Sequence, residues 1–390
     1  MDNKTPALIL GGSANILAIT RSLSRQGVPV YVSAKSDCAA FQSRYPKKRF
    51  LVADENDPLG YWEDLLIKNK SLAGCVVLAC SDDGVEFLAK YRAELENDYI
   101  LDHFKPELML KMLDKQETLR LAKSLDIPVP NFWNIDTIED VHKVKDEILY
   151  PVIIKPINSH IFQRHYDGKK YLLVENYEEL VAQVAGALEH GLQVMLTEKV
   201  PGPDTLLSSY YTYIDDKGKT YFGYTKQILR RYPKNIGGAS YHITQHHKET
   251  EALGKKFFEG IGYVGLGNIE FKRDERDGKL KVIECNPRFT AAQPLLVKAG
   301  VDTGLMIYRH LTGQPVQTFP PIKNGTRLLN LYQDYKAFRD LHRLGELSLF
   351  GWLISLMHWQ TFDFFSITDP WPATAKLLKI IGGRFRKIFG

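Results

Sequence analysis

The stretch Val282-Ile283-Glu284-Cys285-Asn286-Pro287-Arg288-Phe289 puts an acid, an amide and a guanidinium at every second position. Side chains alternate faces along a strand, so Glu284, Asn286 and Arg288 share one face while Ile283, Cys285 and Pro287 share the other. One face has the character of core and the other that of a site. Just upstream, Asn268 to Arg273 reads as the partner strand of a hairpin turning through Asp274-Glu275-Arg276-Asp277-Gly278. A register centred near Asp277 sets Glu270 opposite Glu284 and Asn268 opposite Asn286. Like charges directly opposed are destabilising unless a cation lies between them. Two carboxylates and an amide oxygen suit Mg2+, a hard ion that takes oxygen ligands and completes its shell with waters and phosphates. The plainer alternative is a solvent-facing polar strand.

A second hairpin precedes this one, Leu206 to Ile214 with Thr220 to Leu229, followed by a basic segment from Lys226 to Ala239. Arg230 or Arg231 is expected to contact a triphosphate or an acidic substrate, because guanidinium matches such anions bidentately. Gly237-Gly238 would let that loop close over a ligand. An ordinary basic surface loop is the alternative, and His242 reads equally well as a structural histidine.

Further upstream, Pro151 to Pro156 is a buried strand carrying Lys155, Tyr171 to Glu175 another strand, Tyr177 to Glu189 a helix, and Val194 to Lys199 a strand. Proline-marked ends make this unit of about fifty residues a candidate mobile lid. Ahead of it Asp114 can cap a helix with Glu117 at its third position, and Asp126-Ile127-Pro128-Val129-Pro130 ends that helix at a domain junction. The first hundred residues alternate strand and helix, which argues a parallel sheet with helical cover. Gly11-Gly12 after the first strand lacks the full phosphate-binding glycine pattern and reads chiefly as a tight turn.

The 390 residues exceed one ordinary core, and two or three domains are expected. The charge of +5 is small for this length, and Lys and Arg are not gathered into one patch, which argues against nucleic acid. Four cysteines without paired spacing imply neither a zinc finger nor a disulfide framework and fit a reducing cytoplasm. The opening apolar run is short and reads as a buried strand rather than a signal peptide.

Lys115, Lys155, Thr197-Glu198-Lys199-Val200-Pro201-Gly202, Glu270 and Glu284 through Phe289 follow one another in an order that resembles the ATP-grasp superfamily, in particular its carboxylate-amine ligases. The resemblance runs from residue 1 to about 325. It implies an α/β and α+β fold: a Rossmann-like parallel-sheet domain over 1–105, and an ATP-grasp domain over 106–325 with its lid at about 150–200. Residues 326–390 are left as an amphipathic helical extension.

By the same resemblance, Lys115 and Lys155 contact ATP phosphates, Glu198 takes the adenine amino group, and the backbone of Lys199 and Val200 supplies neighbouring contacts. Asp204 lies near the ribose. Glu270, Glu284 and Asn286 hold Mg2+, or Mn2+ in its place, and Arg288 steadies the acceptor carboxylate and the oxyanion that follows. The chain departs from the family in its lid loop, where Gly168 stands alone; Ser159, His160, Lys169 or Lys170 would then approach the phosphate in place of glycine amides.

The function these parts imply is amide formation from a carboxylate and an amine through an acyl phosphate, without a Ser-His-Asp triad. A reading from another class is a catalytically silent ATP-binding module that organises a membrane-associated assembly. The tail is rich in Trp, Phe and Leu and ends in basic residues among Leu, Ile and Phe. It is too short and interrupted to span a bilayer, and its composition suits an anionic membrane surface, which would place a cytoplasmic enzyme at the inner face of the membrane. The alternative is packing on the ligase or on a second subunit as a homodimer. With the membrane reading, a lipid-linked or cell-envelope precursor becomes a natural acceptor.

Overall fold

The computed structural model describes residues 4–157, 162, 165, 166, 171–235, 237–316, 319 and 322–389, with side chains described as far as residue 382. Three sheets organise them.

The first is parallel and runs β3-β2-β1-β4, from β1 (Ala7–Leu10), β2 (Val30–Ala34), β3 (Lys48–Leu51) and β4 (Val76–Ala79). Every residue of β1 is buried because helices cover both faces of a parallel sheet. The Gly11-Gly12 turn that leaves β1 has φ of +69° and +94°. A Cβ on Gly11 would sit 1.9 Å from the Ser81 hydroxyl, so glycine is there for close packing as well as for the turn.

The second sheet is antiparallel, in the order β5-β8-β6-β7, from β5 (Phe132–Ile135), β6 (Val152–Pro156), β7 (Leu172–Val174) and β8 (Val194–Glu198). It closes over the helix Tyr177–Glu189, whose Leu180, Val184 and Ala187 meet Val152, Ile154 and Leu196 in one small core. The strand β5 comes from the segment after the expected junction, so the sheet begins before residue 150.

The third sheet carries the site. Its order is β13-β12-β9-β10-β11-β14-β15, with β9 (Leu207–Ile214), β10 (Thr220–Tyr232), β11 (Gly238–Thr244), β12 (Gly265–Arg273), β13 (Leu280–Asn286), β14 (Arg327–Leu329) and β15 (Thr361–Phe362). The segment expected as a basic loop is instead mostly strand: β10 runs on to Tyr232 and β11 returns beside it. Ser240, His242 and Thr244 are all buried on β11. Their polarity hides the strand from a reading based on apolar alternation.

The tail is integrated rather than appended, because β14 pairs with β11 and β15 with β14. The helix Leu331–Arg343 then packs on β10 and β11. No helix among the described residues is long and apolar enough to cross a membrane.

Candidate active site

The β12–β13 register is the expected one at the site: Glu270 pairs with Glu284, and Asn268 with Asn286. The register shifts next to Glu270, where Phe271 pairs with Val282, leaving Ile283 as an extra residue on β13. Such a bulge bends its strand and re-aims neighbouring side chains, and here it sits against both acids. Across the sheet the same row continues from Glu284 through Glu270 and Ser209 to Lys226 and Thr244, and these residues share a face.

Unmet hydrogen-bonding capacity collects on this face. The buried Ser209 Oγ, Tyr224 hydroxyl, Arg231 Nε and Asn268 Oδ1 have no hydrogen-bond partner among the described residues. Buried polar atoms in folded proteins are nearly always paired, so a cluster of exceptions marks a place built to meet a ligand. The Asn268 amide donates to Glu270 Oε1 at 3.3 Å and the Asn286 amide to Glu284 Oε1 at 3.2 Å, which turns each amide toward its own carboxylate.

The charges press on one another. Burial raises the Glu270 carboxyl above its ordinary range; Lys226 works against that rise and Glu284 adds to it. Lys226 is 4% exposed and its ammonium is lowered by burial, with Glu270 and Glu284 opposing. Lys155, on β6, is pushed down to about 8 by burial and then by the charge of Lys115, against the pull of Glu284. Lys115 opens the helix Lys115–Ser124, where Asp114 caps the backbone amides of Gln116 and Glu117. His242 is lowered to about 3 by burial, followed by Lys226, and stands neutral behind them.

Arg288 reaches into the first domain, its Nε donating to Asp82 Oδ1 at 2.6 Å and its Nη2 to Asn286 Oδ1 at 3.2 Å. The Asn15 amide donates to the Phe289 carbonyl at 2.8 Å, so the turn after β1 also grips this strand end.

The two arginines of β10 part company. Arg230 does not join the cluster: it is 8% exposed and pairs with Asp334 through two bonds of 2.8 and 2.9 Å. The register of β10 shifts on both sides of Arg230, and adjacent strand residues point to opposite faces, so the pair cannot serve one site. Arg231 is the one placed beside Asp204, at 3.6 Å, within electrostatic reach of Glu270 and Lys226.

Glu198 ends β8 in a charged cluster. Its carboxylate pairs with Arg276, lies 3.9 Å from Lys281 and accepts from the Asn131 backbone N–H at 3.2 Å. Lys199 is half-buried and Val200 buried. The carbonyls of Val200 and Gly202 accept from the Lys272 ammonium at 3.0 and 2.7 Å, tying the segment after β8 to β12. Asp204 accepts from the Asn235 backbone N–H at 3.1 Å. Ser159, His160, Lys169 and Lys170 lie outside the described residues.

Lys226, Ser209, Tyr224 and Lys272 were not singled out from the sequence. Ser209, Tyr224 and Lys226 sit in strands rich in aromatics and Lys272 next to a charged turn, and only strand register brings them beside Glu270 or the carbonyls that follow β8. The signal that was available is Lys226, a cation two residues from the buried aromatic Tyr224 on the same strand.

The donor set fits a hard divalent cation. Glu270 and Glu284 oppose each other, and the Asn268 carbonyl oxygen is buried and unpaired. Asn286 fits less simply, since its carbonyl oxygen already accepts from Arg288.

A central sheet bearing paired acids, closed by a small α+β lid with a half-buried lysine and preceded by a parallel-sheet domain, is the ATP-grasp architecture. Residues 120–291 match the ATP-grasp domain model, and the fold is the one that ATP-grasp enzymes share. It is similar to the D-aspartate ligase of Enterococcus faecium (strain Aus0004), at 23% identity over 297 residues that cover 72% of this chain and 70% of that one. Among solved structures it resembles the ADP complex of N5-carboxyaminoimidazole ribonucleotide synthetase, with a TM-score of 0.62 and 15% identity over 83% of this chain and 82% of that one. The biotin carboxylase domain of Hydrogenobacter thermophilus 2-oxoglutarate carboxylase, bound to MgADP and bicarbonate, gives 0.64 and 17% over 83% and 74%.

Proposed function

We infer that this protein is an ATP- and Mg2+-dependent carboxylate-amine ligase. The observation that carries the reading is the facing pair Glu270 and Glu284, with the unpaired Asn268 oxygen beside them and the cations Lys155 and Lys226 within electrostatic reach. A divalent ion held there would bridge phosphate oxygens and offset the charge that moves in phosphoryl transfer.

Every other task falls to the chain itself. Lys155 and Lys115 lie on the lid side, where they would neutralise the triphosphate as compact cations. Glu198, Lys199, Val200 and Asp204 would line the nucleoside side, with Lys272 holding the Val200 and Gly202 carbonyls in place. Arg231 replaces Arg230 as the guanidinium on the anion side. Arg288 would bind the acceptor carboxylate and, later, the oxyanion on the same carbon.

In this reaction a carboxylate oxygen bonds to the γ-phosphorus of ATP and the bond to ADP breaks, giving an acyl phosphate. The amine then bonds to the acyl carbon, phosphate leaves, and the nitrogen releases a proton to solvent. Positioning and fixed charge supply most of the acceleration. The likeness to a D-aspartate ligase supports an amino acid as the carboxylate, and we propose a cell-envelope precursor, free or lipid-linked, as the amine.

The test is ADP release with Mg2+ and a panel of amino acids and cell-envelope precursors, beside Glu284→Gln and Arg288→Ala. Release that needs one acid and one amine, and is lost in both variants, supports the ligase. ATP binding without release from any pair, in the presence of membrane extract as well, replaces it with the catalytically silent nucleotide-binding module.

A further inference from the structure

We propose that the C-terminal segment from Leu347 onward is a docking face for an anionic lipid bilayer surface. Large apolar side chains that stand out in solvent are concentrated there. All but four of those among the described residues lie between Leu331 and Ile381, the others being Leu51, Leu149, Leu173 and Val297. Scattered exposed apolar residues are ordinary, whereas a concentration of them marks an interaction surface.

The helix Leu349–Leu356 shows how the face is built. It contains no charged residue and none of its residues is buried. One edge is anchored. Trp352 stacks on Phe338 at 4.6 Å and donates to Asp334 at 2.9 Å, and the Tyr241 hydroxyl donates to the Ser355 carbonyl at 2.8 Å. The opposite edge presents Leu349, Phe350, Leu353 and Ile354, and the chain then continues with Met357 and a Trp359 that is 99% exposed. Positions i, i+1, i+4 and i+5 lie on one side of a helix, so this uncharged helix turns a row of apolar side chains outward. The final helix, Trp371–Phe389, repeats the arrangement with Trp371, Leu377, Leu378 and Ile381 exposed.

Charge selects the occupant. From Leu347 to the end the chain holds five basic residues, Lys376, Lys379, Arg384, Arg386 and Lys387, and two acids, Asp363 and Asp369. Both acids are buried, Asp363 accepting from Asn330 and Asp369 pairing with Arg21. The segment therefore turns no carboxylate outward, while Lys379 is exposed. Apolar side chains that include two exposed tryptophans, in a segment with five basic residues and no exposed acid side chain, match the headgroup region of an anionic bilayer. A second copy of this chain would bring the same cations against themselves and offers no such match. This proposal stands apart from the ligase reading, since it uses no residue of the site.

The test is flotation of the full chain with phosphatidylcholine vesicles made with and without phosphatidylglycerol, at low and high salt, together with sedimentation of the vesicle-free protein. Association with the phosphatidylglycerol vesicles alone, weakened by salt, is expected. Lys379→Gln should lower the partition by about fivefold, and Phe350→Ser with Trp359→Ser by about tenfold or more. These positions are exposed, so circular dichroism and ADP release should not change. No flotation, or equal flotation on both vesicle types, overturns the proposal. A concentration-dependent dimer that Phe350→Ser dissolves assigns the face to a second copy instead.

Discussion

Glu270 on β12 and Glu284 on β13 stand directly opposite each other across an antiparallel pair, at the edge of a bulge that leaves Ile283 unpaired. The sheet accepts this repulsion at the point where its other unmet polar groups gather.

Removing one charge should therefore stabilise the metal-free protein while removing its response to metal. Glu270→Gln is expected to raise unfolding free energy without Mg2+ by up to about 1 kcal/mol, the scale of opposed like charges on a sheet. Denaturant titration with and without Mg2+ and ADP reads both effects. An equal gain from Mg2+ in wild type and variant would remove these carboxylates from the metal site.

ATP affinity should fall with rising alkalinity. Lys155 is lowered to about 8 in the free protein, so it loses its charge through that region instead of near 10.5. Triphosphate binding favours the charged form, and binding above pH 8 must then take up a proton, weakening by at most about tenfold per pH unit for one site. Calorimetry in buffers of different ionisation heat measures the uptake directly, and Lys155→Met should abolish it. For stability the sign is opposite: the unfolded lysine keeps its proton to higher pH, so this group's burial penalty is relieved between about 8 and 10.5.

His242 predicts acid sensitivity. Its folded pKa of about 3 lies below the ordinary value of 6.5, so the unfolded chain binds the proton first as pH falls. Stability is then lost on acidification between those two values, by on the order of 1.4 kcal/mol per pH unit. His242→Asn should flatten that limb in urea unfolding followed from pH 7 to pH 4, and an unchanged slope would exclude His242 as its origin.

The pair Arg230 and Asp334 should behave as a latch between the central sheet and the tail. Both are buried and joined by two bonds, and the Ser240 hydroxyl and Trp352 indole also donate to Asp334. Asp334→Asn strands a buried guanidinium and is expected to cost about 3–5 kcal/mol. Arg230→Met with Asp334→Leu should cost much less than that, which a double-mutant cycle on unfolding midpoints will show.

The register of the β12–β13 hairpin was legible because its two acids recur at a spacing that only one register satisfies, and because Asn, Pro and Arg follow in strand alternation. Lys155 was legible as a lone cation in the apolar Pro151 to Pro156 run. Arg230 and Arg231 were not separable, since adjacent arginines look alike until a register shift turns one of them toward Asp334. The strand β11 escaped notice because Ser240, His242 and Thr244 occupy the positions where apolar residues announce a strand. The tail read as a helical appendage because β14 and β15 are three and two residues long, too short for any periodicity.

The bond between Arg288 and Asp82 has a consequence for how a substrate acid is bound. The protein already supplies a carboxylate to the guanidinium, from a domain that lies more than two hundred residues earlier in the chain. If Arg288 takes the substrate acid as proposed, an incoming carboxylate would exchange with Asp82 rather than fill an idle cation, loosening one of the contacts that join the first domain to this strand end. Occupancy of the acid pocket and the grip between the two domains would then be one equilibrium read from two ends.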